Sequence, residues 1–350
     1  MATTTHPIIE GPYLRDVLDQ PTALAATLRE LRISGELTAL AERLRGGRIQ
    51  RIVLTGMGAS YYALHPLFLQ LNACGHTALH IETSELVHNM QRWFEPGTLI
   101  VVVSQSGRSA EVVRLLEDNR GRAAIIGVTN FTDSPLALQA NAALVTTAGT
   151  EFSVSCKTYV TALMALQWLG DFLSQRDAGR TREEMEQAVP AVASYLSAWK
   201  SHVSQMPAEL AGSRNLFLLG RGASLAASGA GALIIKESVR LHAEGMSGAA
   251  YRHGPLEMAN TETFVVIFAG AENTRTLQAS LRDDLQHAGC RTAWIAEDSA
   301  ADAWKLPSAA SSTRPILEIL PVQMMTLALA GGLGIEAGRL ARVSKVTTTE

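Results

Sequence analysis

The sequence predicts an α/β protein made of two tandem, doubly wound parallel sheets, each of five strands and flanked by helices. Three observations carry this expectation. A chain of 350 residues with 47% hydrophobic and 18% charged residues is too long for one ordinary core and rich enough in apolar side chains for two. Short apolar runs alternate with helix-period segments: Arg51 to Leu54, Ala78 to Glu82, Leu99 to Val103, Ala123 to Val128 and Ala142 to Thr146 read as strands separated by helices. Finally, Gly220-Arg221-Gly222-Ala223-Ser224 repeats Gly56-Met57-Gly58-Ala59-Ser60 at the same place after a strand, the mark of an internal duplication.

In chain order, Met1 to Pro12 reads as an arm. Tyr13 to Leu44 then carries helix-period apolar positions (Leu14, Val17, Leu18, Leu24, Leu28, Leu31) broken near Pro21 and Gly35. The strand Arg51 to Leu54 feeds a helix from Tyr61 to Asn72, and Ser134-Pro135 announces another helix as its cap and first residue. A long helix is expected from about Ser155 to Ser174, then a polar stretch up to Glu184 and a helix from Met185 to Met206. Beyond it, strands are expected at Asn215 to Leu219, Thr263 to Ala269, Thr292 to Glu297 and Ile316 to Leu320. The domain expectation is therefore entry segments over 1–45, a first domain over 46–185, a second over 186–340, and a tail over 341–350.

Composition excludes several classes of function. Lys plus Arg 30 against Asp plus Glu 33, with no basic block, lacks the electrostatic footprint of a nucleic-acid binder. Cys74, Cys156 and Cys290 are odd in number and far apart, which indicates neither a disulfide framework nor a zinc site and fits a reducing compartment. The N-terminus shows no basic segment followed by an apolar core, and no uninterrupted apolar run reaches membrane-spanning length, so a cytoplasmic protein with a small-molecule partner is expected.

Leu99 to Glu117 is the stretch that bears most on function. Five apolar residues end at Ser104-Gln105-Ser106-Gly107-Arg108-Ser109, which runs directly into a helix marked by Ala110, Val113, Leu115 and Leu116. Unpaired N–H groups and the positive end of a helix dipole would meet the hydroxyls of Ser104, Ser106 and Ser109 there, with Arg108 as a charge partner for an anion such as phosphate. The same turn also fits a serine-capped loop with no ligand. The second repeat has Ala269-Gly270-Ala271-Glu272 in the corresponding place, so one phosphate site per chain is expected, in the first domain. Three other stretches hold reactive side chains: Lys236-Glu237, Arg252-His253-Gly254-Pro255, and Ser344-Lys345 in the tail. Each alone also fits a solvated helix pair, a turn residue or an unconstrained lysine.

Together these stretches resemble the double sugar-isomerase (SIS) domain family, above all the isomerase half of glucosamine-6-phosphate synthase. The similarity covers GPYLRDVLDQPTAL, TGMGASYYAL, VVSQSGRSAEV, TTAGTEFSVS, KESVRLHAEGMSGAAYRHGPLEM and VSKVTTTE, in the family's order. It implies a hexose 6-phosphate bound by Ser60, Ser104, Gln105, Ser106 and Ser109, with Arg108, Val154 and Ser155 also at the site. It further implies that His253 opens the sugar ring from a second subunit of a homodimer or higher assembly, that Glu237 carries a proton between C1 and C2, and that Lys345 contacts the open-chain sugar or forms an imine. No metal or organic cofactor is implied.

Four departures shape the expected activity. No glutaminase segment precedes the entry helices, so an ammonia-releasing rather than a glutamine-dependent enzyme is expected. Arg108 stands where the synthase has Glu, and Ile234 where it has Lys. The stretch from Glu151 is one residue shorter, which leaves the roles of Ser155 and Cys156 open. The leading expectation is deamination of glucosamine 6-phosphate to fructose 6-phosphate and ammonia. The alternatives are a fructosamine-6-phosphate deglycase, favoured by an Arg108 that meets a second anion, and a phosphosugar sensor without catalysis.

Overall fold

The computed structural model describes residues 7–342 and 344–347. The first half of the expected arm (1–6) and four tail residues (343, 348–350) lie outside the described residues. The chain divides into a first unit of Thr22–Glu151, Lys157–Glu186 and Arg342–Glu350, and a second unit of Met1–Pro21, Phe152–Cys156 and Gln187–Ala341.

The first unit is built on five parallel strands: β1 (Arg51–Gly56), β2 (Ala78–Glu82), β3 (Thr98–Val103), β4 (Ala124–Thr129) and β5 (Ala142–Val145), in the order β2-β1-β3-β4-β5. All six residues of β3 are buried, as an unbroken apolar run between two helical layers requires. Alternate residues serve opposite layers. Val53, Ile100, Val102 and Ile125 join Leu86 and Val87 of the helix Thr83–Asn89 and Val112, Leu115 and Leu116 of the helix Ala110–Asn119 in one core cluster. The other layer holds the helices Ala59–Ala63, His65–Ala73 and Lys157–Leu173. Strand order reverses between β1 and β3, so the chain leaves these neighbours towards opposite faces and a crevice opens at their carboxyl ends.

The second unit repeats the plan with β6 (Asn215–Gly220), β7 (Ala243–Ser247), β8 (Thr263–Phe268) and β9 (Arg291–Ile295), in the order β7-β6-β8-β9, all parallel. Its sheet has four strands among the described residues, not five. Ile316–Leu320, expected as a strand, lies inside the helix Arg314–Leu333. Four apolar residues around Glu318, all buried, look alike in a core strand and a core helix, and here the run continues buried on every side as far as Gly331. That helix has the length and hydropathy of a membrane span, yet 89% of its most apolar window is buried inside the fold, against Leu225–Val239 and Trp199–Leu210. Conversely, β7 reads Ala-Glu-Gly-Met-Ser and was invisible as a strand, because an edge strand with one fully buried residue carries no apolar pattern.

The duplication has a steric cause. A Cβ on Gly56 would stand 3.0 Å from the Ser60 carbonyl carbon, and one on Gly220 would stand 2.8 Å from the Ser224 carbonyl oxygen. In both units the chain turns back onto the strand end so closely that a side chain is excluded. Other expected elements are subdivided. Tyr61 to Asn72 is two helices, the second opened by Pro66 in its first turn, and Met185 to Met206 falls into Ala178–Ser197 and Trp199–Leu210. The helix Gln20–Glu30 runs through Pro21, which is tolerated in the first turn.

A buried carboxyl in the second unit's core makes stability depend on pH. Glu318, on Arg314–Leu333, is 1% exposed; its Oε1 accepts a hydrogen bond of 2.8 Å from Ser224 Oγ, and its Oε2 has no partner. Burial pushes its carboxyl up to about 7, against the opposing effects of Ser224 and Arg314. A folded-state value above the unfolded one gives stability that is full below about pH 4.5 and lost as pH rises through about 7. Glu318→Gln is expected to remove this slope, which amounts to roughly 3 kcal/mol at most between pH 4.5 and 8. Denaturant unfolding of both proteins at pH 5 and pH 8 measures it.

Candidate functional site

The serine turn lies at the carboxyl end of β3, beside the reversal in strand order. Its backbone is fastened to the next strand: the Gln105 carbonyl accepts from the Asn130 N–H at 3.0 Å and from Thr129 Oγ1 at 3.3 Å, and the Gly107 carbonyl accepts from the Leu136 N–H at 3.2 Å. Gly107 has φ +60°, and a Cβ there would lie 2.4 Å from Ser134 Oγ. Only glycine meets both demands.

The hydroxyls are arranged as donors. Ser104 Oγ accepts from the Gly107 N–H and Ser106 Oγ from the Arg108 N–H, each at 3.1 Å, so both protons point to other acceptors. Both serines are buried, at 8% and 7% exposure. Ser109 is the N-cap of Ala110–Asn119 in extended conformation and makes no side-chain capping bond, and the first turn that follows carries the buried Glu111. Gln105 is half-buried in the same turn, and Ser60 is half-buried in the helix Ala59–Ala63 that follows the neighbouring β1. Ser60 and the serine turn thus follow the carboxyl ends of the paired strands β1 and β3, and hydroxyls at a helix start are groups that suit an anion. Arg108 Nη2 lies 2.9 Å from Asp133 Oδ2 and donates to the Asp133 carbonyl at 3.1 Å, with both side chains largely exposed to water.

The tail also belongs to this unit. The Thr347 carbonyl accepts from the Ala110 N–H at 3.2 Å, across the helix start, and Lys345 Nζ forms an ion pair with Glu151 Oε2. Glu151 was not singled out in the sequence. Its side chain is wholly buried and also accepts from the Thr158 N–H at 3.0 Å and Thr158 Oγ1 at 2.6 Å, so it caps Lys157–Leu173 and fixes the tail lysine together. Asn130 was missed as well. Its Oδ1 accepts from Thr146 Oγ1 (3.1 Å) and the Ala148 N–H (2.6 Å), while Nδ2 donates to the Gly149 carbonyl (2.7 Å). An acidic residue before a helix, and an amide directly after a strand, were the available signals.

The remaining candidates fall in the second unit. Val154 is buried and Ser155 half-buried in the segment Phe152–Cys156, held there by Ser153 Oγ donating to the Gly338 carbonyl at 2.5 Å. Glu237 is half-buried near the end of Leu225–Val239, where its charge, after burial and Cys156, helps push the Tyr13 phenol far above its usual range. His253 is exposed at the end of the helix Gly248–Arg252. Between Glu237 and His253 the chain runs through β7, five residues or roughly 16 Å of extended strand, and the short helix Gly248–Arg252. Among the described residues no group of His, Cys, Asp and Glu is placed to hold a metal ion.

Residues 48–170 and 209–329 match the SIS domain. The chain belongs to the SIS-domain family. A relative from Sulfurisphaera tokodaii, a glutamine–fructose-6-phosphate aminotransferase (isomerizing), is 27% identical over 341 residues, which is 96% of this chain and 56% of the relative. The SIS chain thus spans a little over half the length of the curated relatives it matches. Two solved structures share the fold. The C-terminal domain of glucosamine-fructose-6-phosphate aminotransferase from Francisella tularensis superposes with a TM-score of 0.82 at 20% identity, covering 94% of this chain and 98% of that one. Glucosamine-6-phosphate deaminase from Thermotoga maritima superposes with 0.79 at 19% identity, covering 97% and 100%.

Gly107→Ala should cost roughly 1–3 kcal/mol of folding stability, because positive φ and the Ser134 contact are violated together. Urea unfolding of the variant checks the magnitude; an unchanged midpoint would contradict the geometry of the turn.

Proposed function

We propose that this SIS protein is an amino-sugar phosphate deaminase of the isomerase type, converting glucosamine 6-phosphate and water to fructose 6-phosphate and ammonia. The observation that carries the reading is the serine turn, in which two buried hydroxyls accept from their own backbone and so present their protons at a helix start. A phosphate dianion is the ligand such a turn suits. In the proposed reaction Ser60, Ser104, Gln105, Ser106 and Ser109 hold the phosphate, and His253 donates a proton to the ring oxygen as the ring opens. Glu237 takes the proton from C2 and returns it to C1, leaving an imine at C2. Water adds to that imine and ammonia departs. Lys345, held by Glu151, supplies positive charge to the oxygen that becomes negative during proton transfer.

The separation of Glu237 from His253 across β7 supports a shared site, with His253 reaching the neighbour in a two-fold dimer. His253 is exposed, as that role requires. The partner of the reaction is a small molecule, not a nucleic acid or a membrane, and the proposed compartment is the cytoplasm. Engagement of Arg108 by Asp133 removes the feature that favoured a carboxylate-bearing substrate, so the free amine is preferred over a deglycase substrate.

Ammonia release from glucosamine 6-phosphate, compared with galactosamine 6-phosphate and a fructosamine 6-phosphate, tests the reaction. Turnover of glucosamine 6-phosphate is expected, with a loss of at least about a hundredfold in Glu237→Gln and in His253→Ala. Release of an amino acid from the conjugate alone would make it a deglycase; binding without turnover would make it a sensor. Mixing the two inactive variants and allowing subunits to exchange should restore about a quarter of full activity, since half the dimers then carry one intact site of two. No recovery in a dimer that exchanges would exclude the shared site.

A further inference from the structure

The second unit contains a cavity of about 260 Å³ at the carboxyl ends of β8 and β9, beside the reversal in strand order between β6 and β8. It stands where the serine turn stands in the first sheet, the place where doubly wound sheets bind ligands. Its chemistry is different. Hydroxyls are absent from the loop Ala269–Glu272, and the walls are charged: Glu272 and Arg275 from the helix Glu272–His287, Glu297 and Asp298 after β9, and Arg314 and Glu318 from Arg314–Leu333.

The cations are already engaged. Arg275 pairs with Asp298 at 2.5 Å, and Arg314 donates to the Gly270 carbonyl at 2.8 Å with Glu297 at 3.9 Å. Glu318 is the exception. One oxygen holds Ser224, and the other is buried without a partner. A carboxylate oxygen left in this state costs stability, and the cost is offset either by taking up a proton or by a cationic donor from outside the chain.

We infer that this cavity is a second ligand site, which takes a small hydroxylated molecule bearing a primary ammonium, with the ammonium on Glu318 Oε2. The volume admits a molecule the size of one monosaccharide and excludes a nucleotide. A phosphate is disfavoured, because both guanidinium groups are paired and two carboxylates, Glu318 and Glu272, would face it. Hydroxyls of the ligand meet the exposed carboxylate of Glu272 and the polar backbone around Gly270. The inference does not rest on the reaction proposed for the first unit.

Calorimetric titration of the full chain with glucosamine, in excess glucose 6-phosphate to occupy the first site, tests it with glucose as the neutral control. One glucosamine per chain is expected, bound at least about tenfold more tightly than glucose, and weakened at least about tenfold by Glu318→Gln. Ser106→Ala should leave this binding unchanged. Equal affinity for glucosamine and glucose, no binding of glucosamine, or an unaltered affinity in Glu318→Gln would each overturn the inference. The wild-type chain gives a second readout should the variant not fold: glucosamine is expected to slow amide hydrogen exchange over residues 269–275 and 295–298. Unchanged exchange there would overturn the inference equally.

Discussion

The properties that the first unit offers a ligand depend on one backbone contact, the Gln105 carbonyl accepting from the Asn130 N–H. It fastens the end of the serine turn to the end of β4, and Asn130 in turn collects the Thr146 hydroxyl and the backbone at 148 and 149. The turn is thereby held before any ligand arrives. Ser104 and Ser106 can spend their acceptor capacity on the turn's own N–H groups and keep their protons directed elsewhere. A site prepared in this way avoids the ordering cost that a loose loop would incur on binding. The same logic explains the tail, whose Thr347 carbonyl takes one orphan N–H at the helix start while Glu151 fixes its lysine.

Much of this was legible in the sequence, for identifiable reasons. The central strands β1, β3 and β4 of the first sheet are buried almost throughout, and Gly56, Ser104 and Asn130 mark their ends, so the pattern and the turn chemistry agree. The serine turn could be placed at a helix start because Ser104 to Ser109 separates a strand-period run from a helix-period one. The duplication was visible because its cause is local: Gly56 and Gly220 are both forced by close approach of the following turn. Glu151 was not visible, since its importance comes from a lysine 194 positions away in the chain. Long-range partners of single charged residues leave no periodic trace. The strand β7 was missed and a strand at Ile316–Leu320 wrongly expected, because burial alone, without alternation, does not distinguish an edge strand from a loop or a core strand from a core helix.

The two sheets show how one architecture can carry opposite electrostatics at equivalent places. Both crevices arise from the same reversal of strand order, and both begin with a glycine that lets the chain fold back on the strand. After that the side chains decide. In the first unit, hydroxyl donors and a helix start face the crevice, and acceptors are turned inward to the backbone. In the second, the equivalent serine, Ser224, gives its proton to Glu318 instead of to a ligand. That single hydrogen bond converts a donor into part of an acidic wall. Arg275 and Arg314 do not reverse the sign, because each is committed to a neighbouring acid or carbonyl. A duplicated fold that kept two anion sites would need the second serine cluster as well, and Ala269-Gly270-Ala271-Glu272 supplies none of its hydroxyls.

The position of His253 follows from the same topology. In a parallel sheet every helix returns the chain to the amino edge, so a residue near a helix end and a residue after the next strand stand a full strand length apart. Glu237 and His253 are such a pair. A chemistry that needs a base at C2 and an acid at the ring oxygen of one hexose cannot span that distance within the unit. Duplicating the unit does not help, since the second copy of the pattern lacks its own phosphate turn. In the proposed reaction, association of two chains would, because a two-fold axis can carry an exposed histidine at one edge to the opposite edge of its neighbour. The exposure of His253 is compatible with that proposal, since a side chain open to water at the end of a short helix is free to meet a neighbouring chain.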